Sequence, residues 1–111
     1  MSPLAYLPNR VAGKSISSRE IVLPLAEALE AINLLESRGL LILGWEGWIK
    51  TADGRVGHGS APQGTTSLAG LPVSEAADWC RRTIREEAAT WTSEHPGTTD
   101  KLYFCLTVQE A

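Results

Sequence analysis

From Leu25 onward apolar side chains recur at Leu25, Ala28, Leu29, Ile32 and Leu35, spacings of three and four that draw one stripe down a helix. Pro24 suits a first turn and Gly39 a stop, so the pattern predicts a helix over about Pro24 to Arg38. The period then changes. Leu40-Leu41-Ile42-Leu43 is apolar without alternation, as in a central strand buried on both faces. The run continues through Gly44-Trp45-Glu46-Gly47-Trp48-Ile49-Lys50, where the two glycines suggest a bulge or a close backbone approach. Asp53-Gly54 predicts a hairpin turn, with Arg55-Val56-Gly57-His58 as the returning strand.

Residues 59–72, rich in glycine, proline and small polar side chains, read as a loop. Ser74 is a suitable N-cap for a second helix over about Glu75 to Ser93, whose stripe is Ala77, Cys80, Ile84, Ala88 and Trp91. Glu94-His95-Pro96-Gly97 breaks it, and Leu102, Phe104, Leu106 and Val108 then alternate with Tyr103, Cys105 and Thr107 as a last strand. Residues 1–18, with Pro3, Pro8, Gly13 and a serine cluster, have little periodicity and read as an irregular arm. The expected fold is α+β, two helices packed on one face of a small, mainly antiparallel sheet in the order α-β-β-α-β. With 111 residues there is room for one such domain, 1–111, but not for two.

Composition narrows the class. An apolar fraction of 43% and a charged fraction of 21% are ordinary for a globular chain and exclude a disordered or fibrous one. The start lacks a basic leader followed by a long apolar core, and the apolar runs fall far below the roughly 18 residues of a membrane helix. A cytoplasmic protein without membrane contact is therefore expected. Cys80 and Cys105 stand alone without CxxC spacing, which suits free buried thiols better than zinc ligands. The net charge of −3 lies in residues 56–111, which carry four basic and seven acidic groups. Such a surface repels phosphate backbones and favours a basic protein partner over direct nucleic-acid binding.

Catalytic patterns are weak. His58 lies near Ser60, but no GxSxG elbow accompanies them. No GxxxxGK[ST] phosphate loop occurs. Glu46, Asp53 and His58 could converge across the hairpin on a metal, although turn chemistry already accounts for Asp53. His95 beside Pro96 carries no distinctive signal, and the mixed charges from Arg81 to Glu87 suit a solvated helix face. The tryptophans say more. Trp45 and Trp48 are an odd number of residues apart, so a regular strand sends one indole into the core and the other outward. An exposed indole is a typical binding hot spot. Trp79 falls off its helix's apolar stripe, near Arg82, Thr83 and Glu86, whereas Trp91 falls on the stripe.

Ala28-Leu29-Glu30-Ala31-Ile32, Leu35, Gly39, Ile42-Leu43-Gly44 and the Asp53-Gly54 turn resemble the immunity protein 40 family, best over about residues 25–58, with Glu46 and Trp48 matching its acidic residue close to an aromatic. That resemblance implies an antidote of a bacterial contact-dependent inhibition or polymorphic toxin system, which binds its cognate toxin stoichiometrically in the cytosol without catalysis or cofactor. With the acidic charge balance, the expected toxin is a basic nuclease domain. The candidate toxin-binding residues are Glu46, Trp48 and Asp53 on the hairpin and Asp78, Trp79 and Glu86 on the second helix. The alternative is a small ligand-binding or enzyme domain built on the His58 hairpin and a tryptophan-lined pocket.

Overall fold

In the computed structural model, which describes residues 2–64 and 67–109, a 3₁₀ turn (Pro3–Tyr6) and a one-turn helix α1 (Asn9–Ala12) precede strand β1 (Ile21–Leu23). Helix α2 (Leu25–Ser37), strand β2 (Ile42–Lys50), a two-residue strand β3 (Val56–Gly57), the long helix α3 (Val73–Glu94) and strand β4 (Lys101–Val108) follow. The strands form one antiparallel sheet in the order β1-β4-β2-β3. The fold is therefore α+β, as the periodicity predicts, with α2 and α3 covering one sheet face. Met1, Thr65, Thr66, Glu110 and Ala111, at the ends of the expected domain and within the 59–72 loop, lie outside the described residues.

Two elements differ from expectation. β1 is absent from the predicted order because three apolar residues, Ile21-Val22-Leu23, are too short to display a period; all three are buried beside β4. The segment before it is not an irregular arm. Its Leu7 and Val11 enter the main core, and Ser15 Oγ accepts from the Val22 amide at 3.0 Å while the Ile16 amide donates to Val22 at 3.1 Å, which occupies the outer edge of β1.

Smaller corrections concern the ends of elements. α3 starts at Val73 after Pro72, without a side-chain cap, so Ser74 is not the N-cap; proline's set φ leads into the helix instead. The return strand shrinks from Arg55–His58 to Val56–Gly57. Beyond it, the 59–72 segment runs back beside β2: the Gly47 amide donates to Pro62 at 2.9 Å, Gln63 bridges Glu46, and the Leu68 amide donates to Leu43 at 2.9 Å. Gly47 is required for this approach, since a β-carbon there would collide with the Pro62 carbonyl oxygen. The register shift between Ile42 and Gly44 supplies the expected bulge. Gly39, at φ +70°, ends α2 as anticipated.

Packing follows the two periods. Ala28, Ala31, Ile32 and Leu35 of α2 and Ala76, Ala77, Cys80, Ile84, Ala88 and Trp91 of α3 are the buried helix positions. The sheet answers with Ile21, Leu23, Trp45, Phe104 and Leu106. Each fully buried Leu, Ile or Phe contributes roughly 1.5–3 kcal/mol, so this layer holds the molecule together. Arg81 ties the helices, donating to Asn33 at 2.7 Å and pairing with Glu36 at 2.9 Å and with Asp78. Burial opposes its charge, but the bonds to Asp78 and Glu36 prevail and raise its pKa.

Candidate functional site

Strand alternation and register decide which side chains meet. β2 and β4 pair as Trp45 with Leu106, Glu46 with Cys105, Gly47 with Phe104, Trp48 with Tyr103, Ile49 with Leu102 and Lys50 with Lys101. Trp45 points to the helices. It is 1% exposed, stands edge-on to Phe104 at 5.4 Å between centroids, and its indole N–H donates to Thr83 Oγ1 at 2.8 Å. By alternation Glu46, Trp48 and Lys50 face the other way, alongside Lys101, Tyr103 and Cys105. Among the described residues α2 and α3 pack on the other side of the sheet; on this one Val22 and Cys105 are buried, while Glu46, Trp48, Lys50 and Tyr103 are partly exposed.

Its centre is aromatic. Trp48 and Tyr103 are both partly exposed and directly opposite each other. The Trp48 indole N–H donates to Glu46 Oε1 at 3.2 Å. The His58 ring stands edge-on to Trp48, 5.7 Å away, and its Nδ1 lies 3.1 Å from the Gly47 carbonyl oxygen, an acceptor only, so Nδ1 carries the proton and donates. Gln63 Nε2 donates to the same oxygen at 3.3 Å. Trp48 is thus held by Glu46 on its own strand and by the returning chain at its side. Glu46 Oε2 accepts no hydrogen bond among the described residues.

The six candidate residues do not form one patch. Glu46 and Trp48 are joined. Asp53 is exposed in the turn, where the Thr51 hydroxyl foremost, with the Arg55 amide, holds its carboxyl below the ordinary range; Arg55 also pairs with it at 3.0 Å. Asp78, Trp79 and Glu86 lie on α3, in the helix layer across the sheet. There Asp78 pairs with Arg81, Trp79 packs against the main core, and Glu86 is exposed. Sequence reasoning missed Tyr103, Lys50 and Lys101 as members of the open face. The alternation of the last strand already sets Tyr103 apart from Phe104, but only the β2–β4 register brings it opposite Trp48.

The catalytic and metal patterns are not assembled. His58 is engaged with Gly47 and Trp48, while Ser60 Oγ accepts from the Trp91 indole at 3.3 Å. Among the described residues no three His, Cys, Asp or Glu side chains gather where they could hold a metal ion, so Glu46, Asp53 and His58 do not converge. One pocket beside the hairpin is lined by Ile49, Thr51, Arg55, Val56, Gly57 and Gly59, which include neither His58 nor a tryptophan. Cys80 and Cys105 are free and buried, and burial pushes each thiol up to about 12. Among the described residues no helix is long and apolar enough to cross a membrane. The chain matches no family model, no curated protein and no solved structure.

Proposed function

We propose that this protein acts by binding a basic protein partner through the open sheet face centred on Glu46 and Trp48, as the antidote of a bacterial toxin. One observation carries the contact surface: a partly exposed indole bonded to a carboxylate whose second oxygen accepts no hydrogen bond among the described residues. A carboxylate accepts the two parallel N–H bonds of a guanidinium, and an indole face attracts the same cation. Glu46 and Trp48 together therefore suit an arginine of the partner. Tyr103 and Trp48 supply rigid aromatic area around it, the composition of an interface centre. The toxin as partner, and a nuclease as its kind, rest on the resemblance of residues 25–58 to the immunity protein 40 family and on the net charge of −3; the face itself offers the Glu46 carboxylate, with Lys50 and Lys101 at its far end.

The test is co-expression with a toxin domain, sought among the genes adjacent to that of this chain. Growth should be restored, and the two proteins should purify as a one-to-one complex whose association slows as salt rises. Unrelieved toxicity together with no complex would overturn the proposal.

A further inference from the structure

The far end of the same face holds a pocket of about 250 Å³ lined by Lys50, Thr51, Ala52, Thr99, Lys101 and Tyr103. Lys50 closes β2, Lys101 opens β4, and the two are directly opposite in the antiparallel ladder. Side chains so placed have β-carbons about 4.5–5.5 Å apart, and like charges there repel. Of the other cations, Arg10 pairs with Glu30, Arg55 with Asp53, and Arg81 with Glu36 and Asp78, while Lys14, Arg19, Arg38, Arg82 and Arg85 enter no ion pair among the described residues. What sets Lys50 and Lys101 apart is their direct opposition beside a pocket. Neither Lys50 nor Lys101 enters an ion pair among the described residues. Asp53, two residues beyond Thr51, is committed to Thr51 and Arg55. Asp100 adjoins Lys101 in the chain but is bonded to neither lysine.

The Thr51 hydroxyl is spent on Asp53 and Arg55, but two other polar groups of the pocket are not. The side-chain hydroxyls of Thr99 and Tyr103 make no hydrogen bond among the described residues. Two ammonium groups, which only donate, thus stand with two hydroxyls that can donate, around a space without a carboxylate of the chain's own. We infer that this pocket is a binding site for a small oxyanion, a phosphate or a carboxylate, bridged between Lys50 and Lys101 and capped by Tyr103. A bound oxyanion would turn the repulsion across the ladder into two charge-assisted contacts. The inference rests on the pocket alone and stands whether or not the partner is a toxin.

Inorganic phosphate titrated into the whole protein, followed by amide NMR, tests it. Saturable shifts are expected at residues 50–52 and 99–101, weakened about tenfold in Lys101→Gln, the loss of one charge-assisted hydrogen bond. Acetate in a parallel titration separates the sources: a matching response marks a pocket open to a partner's carboxylate, and a response to phosphate alone marks a phosphate site. Both outcomes support the site. Shifts that do not saturate, that sodium chloride of equal ionic strength reproduces, or that persist in the folded Lys50→Gln/Lys101→Gln variant would overturn it.

Discussion

Trp45 and Trp48, three residues apart on β2, turn their indoles to opposite faces of the sheet, so two similar side chains carry different duties. Trp45 is enclosed by Phe104 and α3 and bonds Thr83 at 2.8 Å; Trp48 bonds Glu46 on the opposite face at 3.2 Å. Trp45→Ala should therefore cost about 3–5 kcal/mol in urea unfolding, through lost burial and a residual cavity. Trp48→Ala should cost less than about 1 kcal/mol. Equal losses would show that both rings belong to the core.

Gly47 lies where the Ala61–Pro62 backbone crosses β2. A methyl group there meets a carbonyl oxygen of the backbone, which cannot rotate away as a side chain could. Gly47→Ala should destabilise by about 1–3 kcal/mol, in the range of overpacked sites. It should also redden tryptophan fluorescence as the 61–64 segment lifts from β2. An unchanged urea midpoint and spectrum would contradict this account of the edge.

Raised thiol pKa values give a defined pH response. In the folded chain Cys80 and Cys105 titrate near 12 rather than at the ordinary 9.0, so folding favours the protonated thiols. That stability is fully present below about pH 9 and is lost as the pH rises from there toward 12. Urea midpoints should be level between pH 7 and 8.5 and fall at pH 10, the fall being smaller in Cys80→Ala. Thiol-modifying reagents at pH 8 should react only after unfolding; rapid labelling of the native protein would contradict the burial.

Lys50 and Lys101 oppose each other without an acid between them. Lys101→Thr should leave stability unchanged or raise it by up to about 1 kcal/mol. The gain should shrink at high salt, because screening already removes the repulsion. A loss of more than about 1 kcal/mol would mean that the lysine stems are structural.

The period of the apolar positions makes α2, α3 and β4 legible, because each is long enough to show three or more turns or alternations, whereas β2 is legible from its unbroken apolar start and the Asp53-Gly54 turn after it. β1 was hidden: Ile21-Val22-Leu23 has no polar member, and its strand character comes from β4 beside it. The start of α3 was misplaced by one cap, since Ser74 has the chemistry of an N-cap but Pro72 sets the backbone. Of the candidate contact residues, Glu46 and Trp48 were legible as neighbours because positions two apart on a strand share a face. Tyr103 and Lys101 were not, since register depends on tertiary packing. The charge pattern pointed to Asp78 and Glu86, but it carries no information about which layer of the fold a helix occupies.

The central claim is that recognition lies on the sheet face at Glu46 and Trp48, not on the acidic stretch of α3. It is tested most directly by measuring the affinity of four folded variants, Trp48→Ala, Glu46→Gln, Asp78→Ala and Glu86→Ala, for the protein partner that co-expression identifies. Trp48→Ala and Glu46→Gln should each weaken binding by about 2 kcal/mol or more, roughly thirtyfold, while Asp78→Ala and Glu86→Ala should stay within about 0.5 kcal/mol of the unaltered chain. Full affinity in Trp48→Ala and Glu46→Gln, with loss in the α3 variants, would contradict the account and move the interface to the helix layer.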